Sequence, residues 1–153
     1  MLVAVLVFTS TLAVLQWRRA DRLATGESAR NAVLASAGRF GVALFTYDYK
    51  DLPAARAKVV ALATARFAQG YRTATAPAQD EAIVRLKAEE SARLAGVFTT
   101  NVHSGRAGAV VIVRTTVQST EGTRTTVSSL QMALVRQGGQ QWKVDTVKAI
   151  PSP

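Results

Sequence analysis

The chain opens with a continuous apolar run. Met1 to Gln16 carry no charge, and Trp17, Arg18 and Arg19 follow directly. A helix rises about 1.5 Å per residue, so this run spans roughly 24 Å, slightly less than a hydrocarbon core of about 30 Å. The charges follow the run, and no small-residue cleavage motif lies at its end. The pattern therefore favours an uncleaved membrane anchor over a secretory signal peptide or a buried core helix.

We predict a transmembrane anchor over residues 1–17 and a folded domain over residues 18–153. The positive-inside rule, applied to the visible flank alone, places this domain in the cytoplasm. A basic tail upstream of Met1 would reverse that count, so the charges by themselves leave the orientation open. The side chains predicted to lie at the membrane interface, against anionic lipid headgroups, are Trp17, Arg18, Arg19 and Arg22.

Helical periodicity dominates residues 20–95. Apolar side chains recur every three or four positions as far as about Phe45, which predicts a long amphipathic helix. Asp51 is a natural N-cap for a second helix, which Gly70 ends or breaks. A third helix is predicted from about Pro77 to Gly96, with acidic residues in its first turn.

Beyond residue 96 the period changes to two, and glycine-containing turns occur at regular intervals. We predict four antiparallel strands within residues 97–150, with alternate valines and leucines on one face. The predicted fold is therefore α+β, with helices packed on a curved four-stranded antiparallel sheet. The predicted turns are Ser104-Gly105, Glu121-Gly122 and Gly138-Gly139.

The amino-acid composition excludes several kinds of functional site. The 153 residues include no cysteine and one histidine, His103, which excludes disulfides, thiolate nucleophiles and metal sites that need cysteine or two histidines from one chain. We predict no metal and no cofactor. The 19 basic and 10 acidic residues give a net charge of +9. Because the basic residues are dispersed and no aromatic residues alternate with them, we predict no nucleic-acid partner.

The candidate site lies at the junction after the first helix, at Tyr47, Asp48 and Tyr49. In the structural interpretation Asp48 accepts backbone N–H groups and the tyrosines bury their rings. In a functional interpretation Tyr47 or Tyr49 projects into a cone between the helices and the sheet, and Asp48 acts as a general base. No second catalytic group is identifiable. We therefore favour the structural interpretation, predict no catalytic residue, and assign His103 to a turn.

A family resemblance extends this picture. The segment Ala43–Leu52, with Thr-Tyr-Asp-Tyr as its most specific part, then Phe67, Tyr71 and a strand half ending in Trp142-Lys143-Val144-Asp145, resembles the Mce-associated membrane proteins of actinobacteria. The similarity covers nearly the whole chain. It implies a single-pass protein of the cell membrane whose domain is extracytoplasmic and similar to nuclear transport factor 2 and cystatin. The domain is similar also to the periplasmic assembly subunit of type IV secretion systems.

The resemblance also implies a function. It points to a non-enzymatic accessory subunit that stabilises an Mce-type importer of fatty acids or sterols. The implied partners are Mce transporter subunits and related accessory membrane proteins. A lipid- or sterol-binding module, a secretion-system assembly protein of the same fold and an isomerase-type enzyme are the alternatives, and a homodimer through a sheet edge is left open. The signature and pocket candidates are Tyr47, Asp48, Tyr49, Phe67 and Tyr71.

Overall fold

A computed structural model of the chain describes residues 26–75, 77–139 and 141–151. The chain divides into two units between Asn31 and Ala32. The first unit is described only over residues 26–31, which are helical. All packing and all sites discussed below belong to the second unit.

Most of the helices lie in the first half of the described chain, and most of the strands lie in the second half. A single two-residue strand precedes the second helix, and the remaining strands are long hairpin arms. In chain order the elements are α1 (26–44), β1 (Tyr47–Asp48), α2 (Leu52–Ala61), α3 (Ala65–Ala74), α4 (Pro77–Arg85), β2 (Glu89–His103), β3 (Arg106–Ser119), β4 (Gly122–Gln137) and β5 (Gln141–Ile150).

The sheet confirms the α+β prediction but has five strands where four were predicted. Its order is β1-β2-β3-β4-β5, every neighbouring pair is antiparallel, and it curls into a half-barrel. The extra strand is β1, whose Tyr47 lies opposite Glu90. Two residues carry no periodicity, so only the tertiary pairing with β2 makes this segment a strand.

The core lies between α1 and the inner face of the sheet. Val33, Ala37 and Phe40 of α1 are fully buried, as its apolar spacing predicted. Gly41 lets the helix approach the sheet closely, because a Cβ there would lie 2.8 Å from Val111 Cγ1. The other buried core residues are on the strands and on α2 and its end: Val59, Ala63, Ala107, Ala109, Val111, Val113, Leu130, Met132, Leu134, Trp142 and Val144.

The predicted second helix is two helices, since the chain leaves the helix at residues 62–64. Ala63 forms a parallel bridge with Val144 of β5, and Thr64 N–H donates to Val144 O at 2.9 Å. The Thr64 hydroxyl then accepts the Phe67 N–H at 3.2 Å and caps α3. Gly70, predicted to end or break the helix, lies inside α3. Asp51 does cap α2, as predicted, and accepts the Ala54 N–H at 3.0 Å.

The predicted third helix is also shorter, because α4 ends at Arg85 and β2 begins at Glu89 instead of Val97. Lys87 adopts a left-handed conformation, with φ of 48°. Ala88 N–H donates to Ile83 O and Lys87 N–H to Val84 O, which is a Schellman ending without its usual glycine. Without that glycine signal, residues 89–95 were wrongly assigned to the helix.

One ion pair fastens α3 to the sheet. Asp145 of β5 accepts the Thr64 hydroxyl at 2.9 Å and the Arg66 Nε at 3.2 Å, and Arg66 Nη2 binds its second oxygen. The hydrogen bonds from Arg66 hold the pKa of Asp145 below its ordinary value. Lys143 and Lys148 are nearer to Asp145 in sequence. The fold supplies Arg66 instead, because α3 crosses the edge of β5.

We expect Gly41→Ala to destabilise the domain. Overpacking against Val111 and Val113 costs about 1–3 kcal/mol, and the better helix propensity of alanine offsets only about 1 kcal/mol of it. The control is Gly70→Ala, where a Cβ meets nothing within 4 Å and we expect a gain of up to about 1 kcal/mol. Thermal unfolding of the full chain measures both. Equal behaviour of the two variants would contradict close packing at Gly41.

We expect Asp145→Asn to destabilise the fold at neutral pH by about 1 kcal/mol or less, because the ion pair is partly exposed. The native pKa is lowered, so the contribution of Asp145 is present above the ordinary aspartate pKa of about 3.9 and is lost as pH falls through the native value. Urea unfolding of the unmodified chain and of Asp145→Asn between pH 2 and 7 measures how the difference between their free energies of unfolding disappears at low pH. Glu121→Gln in the exposed β3–β4 turn should show no comparable pH-dependent difference.

Candidate functional site

A cavity of about 450 Å³ lies between the helices and the start of β2. The end of α1, β1 and α2–α4 form its walls. Its apolar lining includes Leu44, Phe45, Leu52 and Ile83, and its polar lining consists of Thr46, Tyr47, Arg56, Tyr71, Thr75, Gln79, Asp80 and Glu90.

Two phenols border the cavity. Tyr47 comes from β1 and Tyr71 from α3, and each is half-buried. Burial raises the pKa of both, and the nearby Glu90 carboxylate adds to the rise at Tyr47. Both hydroxyls therefore stay protonated at neutral pH and act as hydrogen-bonding groups for whatever enters the cavity.

Glu90 is the acidic group of the cavity. It lies on β2 directly opposite Tyr47, and its pKa is raised by burial, while the nearby buried hydroxyl of Thr115 opposes the rise. The residues the structure describes give Glu90 no ion pair. A half-buried carboxylate without a cation is costly to keep charged, so this group favours a donor or a positive charge beside it.

Arg56 and Asp80 also line the cavity but neutralise each other. The Arg56 guanidinium of α2 binds the Asp80 carboxylate of α4, and about 30% of each side chain is exposed. The pair joins two helices through residues that are 24 positions apart in sequence. It leaves Glu90 as the uncompensated charge among the described lining residues.

The other candidate residues lie elsewhere. Asp48 accepts the Lys50 N–H at 2.8 Å inside its own turn, and Lys50 Nζ lies 5.2 Å from the centre of the Tyr49 ring. Phe67 packs edge-on against Phe40 with ring centres 5.3 Å apart. Neither Asp48, Tyr49 nor Phe67 lines the cavity among its described residues. Of the five candidates, the structure brings Tyr47 and Tyr71 together there.

Sequence reasoning missed Arg56, Glu90 and the role of Asp80. Asp80 was used only as a helix-start signal, and Glu90 fell within a segment assigned to a helix. The sequence signal that could have identified this strand is the alternation of Glu90, Ala92 and Leu94, which places all three on the inner face of β2.

The predicted anchor over residues 1–17 and the interface residues Trp17, Arg18, Arg19 and Arg22 lie outside the described residues. Across residues 26–75, 77–139 and 141–151, no helix is both long enough and apolar enough to span a membrane. In this same part of the chain, no three acidic or histidine side chains converge as metal ligands do.

A second surface, which we call the basic groove, runs between α1 and β2. It measures about 640 Å³, and apolar side chains including Leu34, Val42, Leu94 and Val97 line it. Arg39 and Lys58 are its charged lining residues, and no acidic side chain borders it within the part of the chain described. Leu94 is 44% exposed there.

The cavity presents groups that can bind a polar or charged ligand. The cavity offers one carboxylate, two protonated phenols and a neutralised ion pair, and no nucleophile–base pair is formed by its described residues. His103 lies exposed at the end of β2, outside the described lining of both the cavity and the basic groove.

Solved structures of similar fold include a type IV secretion system protein. An IcmL-like type IV secretion system protein from Legionella pneumophila superposes with a TM-score of 0.69 at 14% identity, covering 81% of this chain and 94% of its own. The periplasmic domain of DotI has a TM-score of 0.63 at 17% identity, covering 78% and 94%. An Ntf2-like protein involved in plasmid conjugation has a TM-score of 0.56 at 13% identity, covering 82% and 50%. No family model and no curated protein matches the sequence.

These likenesses establish the fold expected from the sequence, a domain similar to nuclear transport factor 2. Of these three neighbours, one is a type IV secretion system protein, one is a periplasmic domain and one is involved in plasmid conjugation.

We expect Glu90→Gln to stabilise the domain at pH 7. The native pKa of Glu90 is raised, so the charged side chain lowers stability above that pKa; the cost fades as pH falls through the native pKa and is absent below the ordinary glutamate pKa of about 4.3. Partial exposure keeps this gain small, because solvent screens the charge.

Urea unfolding of the full chain at pH 4 and pH 7 measures the gain. The control is Glu89→Gln, which changes the neighbouring exposed carboxylate that pairs with Lys50 at 3.5 Å. A gain for Glu89→Gln and none for Glu90→Gln would contradict the burial of Glu90.

Proposed function

We propose that this chain is a non-enzymatic assembly subunit of a multi-subunit membrane complex, with its domain on the extracytoplasmic side. The observation that carries the proposal is the fold likeness to secretion-system domains, which extends over 94% of the IcmL-like protein and of the DotI periplasmic domain. The chain thus has the full architecture of those domains.

The chemistry of the site supports a role without catalysis. Asp48, the candidate general base, is engaged by the backbone of its own turn. Glu90 contacts a hydroxyl and faces phenols, and the described residues supply no partner that would make it a general base for a nucleophile.

The basic groove is the docking surface in this proposal. A partner that covers its apolar floor removes apolar surface from water, which stabilises the complex. Arg39 and Lys58 favour a partner with negative charge beside these apolar contacts. A second copy of this chain carries a net charge of +9 and is repelled by the same residues. The occupant we propose is therefore an amphipathic segment of a different subunit, with apolar side chains flanked by Asp or Glu.

The complex we favour is a secretion or conjugation machine, because the structural neighbours belong to such machines. An Mce-type lipid importer is the second candidate. It is favoured by the resemblance of Thr46-Tyr47-Asp48-Tyr49 to the Mce-associated proteins, and this segment contributes Tyr47 to the cavity.

We expect the tagged full chain to co-purify with other membrane-complex subunits after cross-linking in its native membrane. Mass spectrometry identifies them: secretion-channel subunits support the first candidate and Mce permease or substrate-binding subunits the second. Asp48→Asn, which keeps the acceptor for the Lys50 N–H, should recover the same partners and complement a deletion. A chain that purifies alone, or a complementation that requires Asp48, would contradict the proposal.

Two substitutions on opposite faces of β2 locate the docking surface. Leu94→Asp places a carboxylate in the basic groove and should reduce partner recovery at least fivefold, because the apolar contact is lost and an acidic partner is repelled. Phe98→Asp is the matched control, since Phe98 is 58% exposed but lies on the other face, opposite Val110. Loss with Phe98→Asp alone would overturn the assignment of the groove.

A further inference from the structure

The cavity has the opposite electrostatic character to the rest of the protein. The chain carries a net charge of +9 and the basic groove is positive, yet the uncompensated charge of the described cavity lining is the carboxylate of Glu90. Arg56 does not correct this, because its guanidinium is bound to Asp80. Nothing in the docking role requires a negative cavity in a basic protein.

The groups around Glu90 suit a positively charged ligand. Phe45, Tyr47 and Tyr71 border the same cavity, and aromatic rings attract ammonium groups through their negative faces. The phenol oxygens of Tyr47 and Tyr71 add acceptors for N–H donors. A carboxylate with neighbouring aromatic rings is the combination that recognises an organic ammonium ion.

The rest of the cavity suits an apolar body. Leu44, Leu52 and Ile83 supply aliphatic surface, and a volume of about 450 Å³ lies in the lower part of the range that holds small ligands. An anionic ligand, such as a fatty acid, would instead bring a second carboxylate beside Glu90. A neutral sterol would leave the carboxylate without a cation.

We propose that this cavity is a binding site for a small organic cation, a primary alkylammonium compound whose charged group lies beside Glu90 and whose chain lies against Leu44, Leu52 and Ile83. The ligand supplies the missing counter-charge and removes apolar surface from water. This site adjoins the proposed docking surface, the basic groove, and the two share Ala43 and Thr46 as lining residues.

The test uses n-hexylammonium, n-hexanol and hexanoate as probes of equal chain length and different charge. Isothermal titration calorimetry on the full chain in a non-ionic detergent measures their affinities. We expect n-hexylammonium to bind at least tenfold more tightly than n-hexanol, and hexanoate not to bind. Equal binding of n-hexylammonium and hexanoate would overturn the proposal.

Two variants test whether Glu90 recognises the positive charge of the ligand. Glu90→Gln should abolish the preference for n-hexylammonium over n-hexanol, whereas Glu89→Gln, which changes the exposed neighbour, should retain it. Glu90→Gln is expected to fold, as argued above, and binding of n-hexanol by the variant confirms an intact cavity. A preference that persists in Glu90→Gln would overturn the assignment.

Chain length separates a free amphiphile from a lysine side chain of a partner, since both carry a primary alkylammonium group. Each buried methylene should raise affinity about threefold, so n-hexylammonium should bind about tenfold more tightly than n-butylammonium, whose length matches lysine. Equal affinities would show that the cavity accepts only a lysine-length group, and the free amphiphile would be excluded.

Discussion

The close approach of α1 to the sheet at Gly41 is the contact on which both surfaces of this domain depend. Because no Cβ separates the helix from Val111 and Val113, α1 seats Val33, Ala37 and Phe40 directly on the inner face. With the helix held there, its C-terminal residues become a wall of the cavity and another side of it becomes a wall of the basic groove. A helix displaced outward would open the core and alter both.

The same strand, β2, then contributes opposite chemistry to the two surfaces. Glu90 and Leu94 point to the inner face, but α2, α3 and α4 enclose the cavity beside Glu90, while mainly α1 borders the groove beside Leu94. Enclosure by the helices raises the pKa of the Glu90 carboxylate, so a positive charge beside it would stabilise its ionised form. Openness leaves Leu94 available to a partner and keeps Arg39 and Lys58 solvated. The cavity and the basic groove therefore differ mainly in how far the helices cover them.

The candidate site shows where sequence reasoning stops. Tyr47 could be named because an aromatic residue at a helix junction invites burial, and Tyr71 because it is part of the family resemblance; both border the cavity. Glu90 could not, because a lysine at position 87 takes the left-handed conformation that usually marks a glycine, so the end of α4 was hidden. The Arg56–Asp80 pair was hidden for a different reason: a contact between residues of different helices leaves no trace in local periodicity.

The sequence by itself determined which residues face the core. The stripe of α1, the alternation along β3 and β4 and the cap at Asp51 all follow from local rules, because burial repeats with the geometry of a helix or strand. Only the tertiary structure decided that residues 62–64 leave the helix to bind the backbone of Val144, that Tyr47 and Asp48 join the sheet, and that Asp145 pairs with Arg66. The physical reason is that these choices are made by backbone and side-chain hydrogen bonds to partners distant in sequence, whose positions exist only once the core has formed.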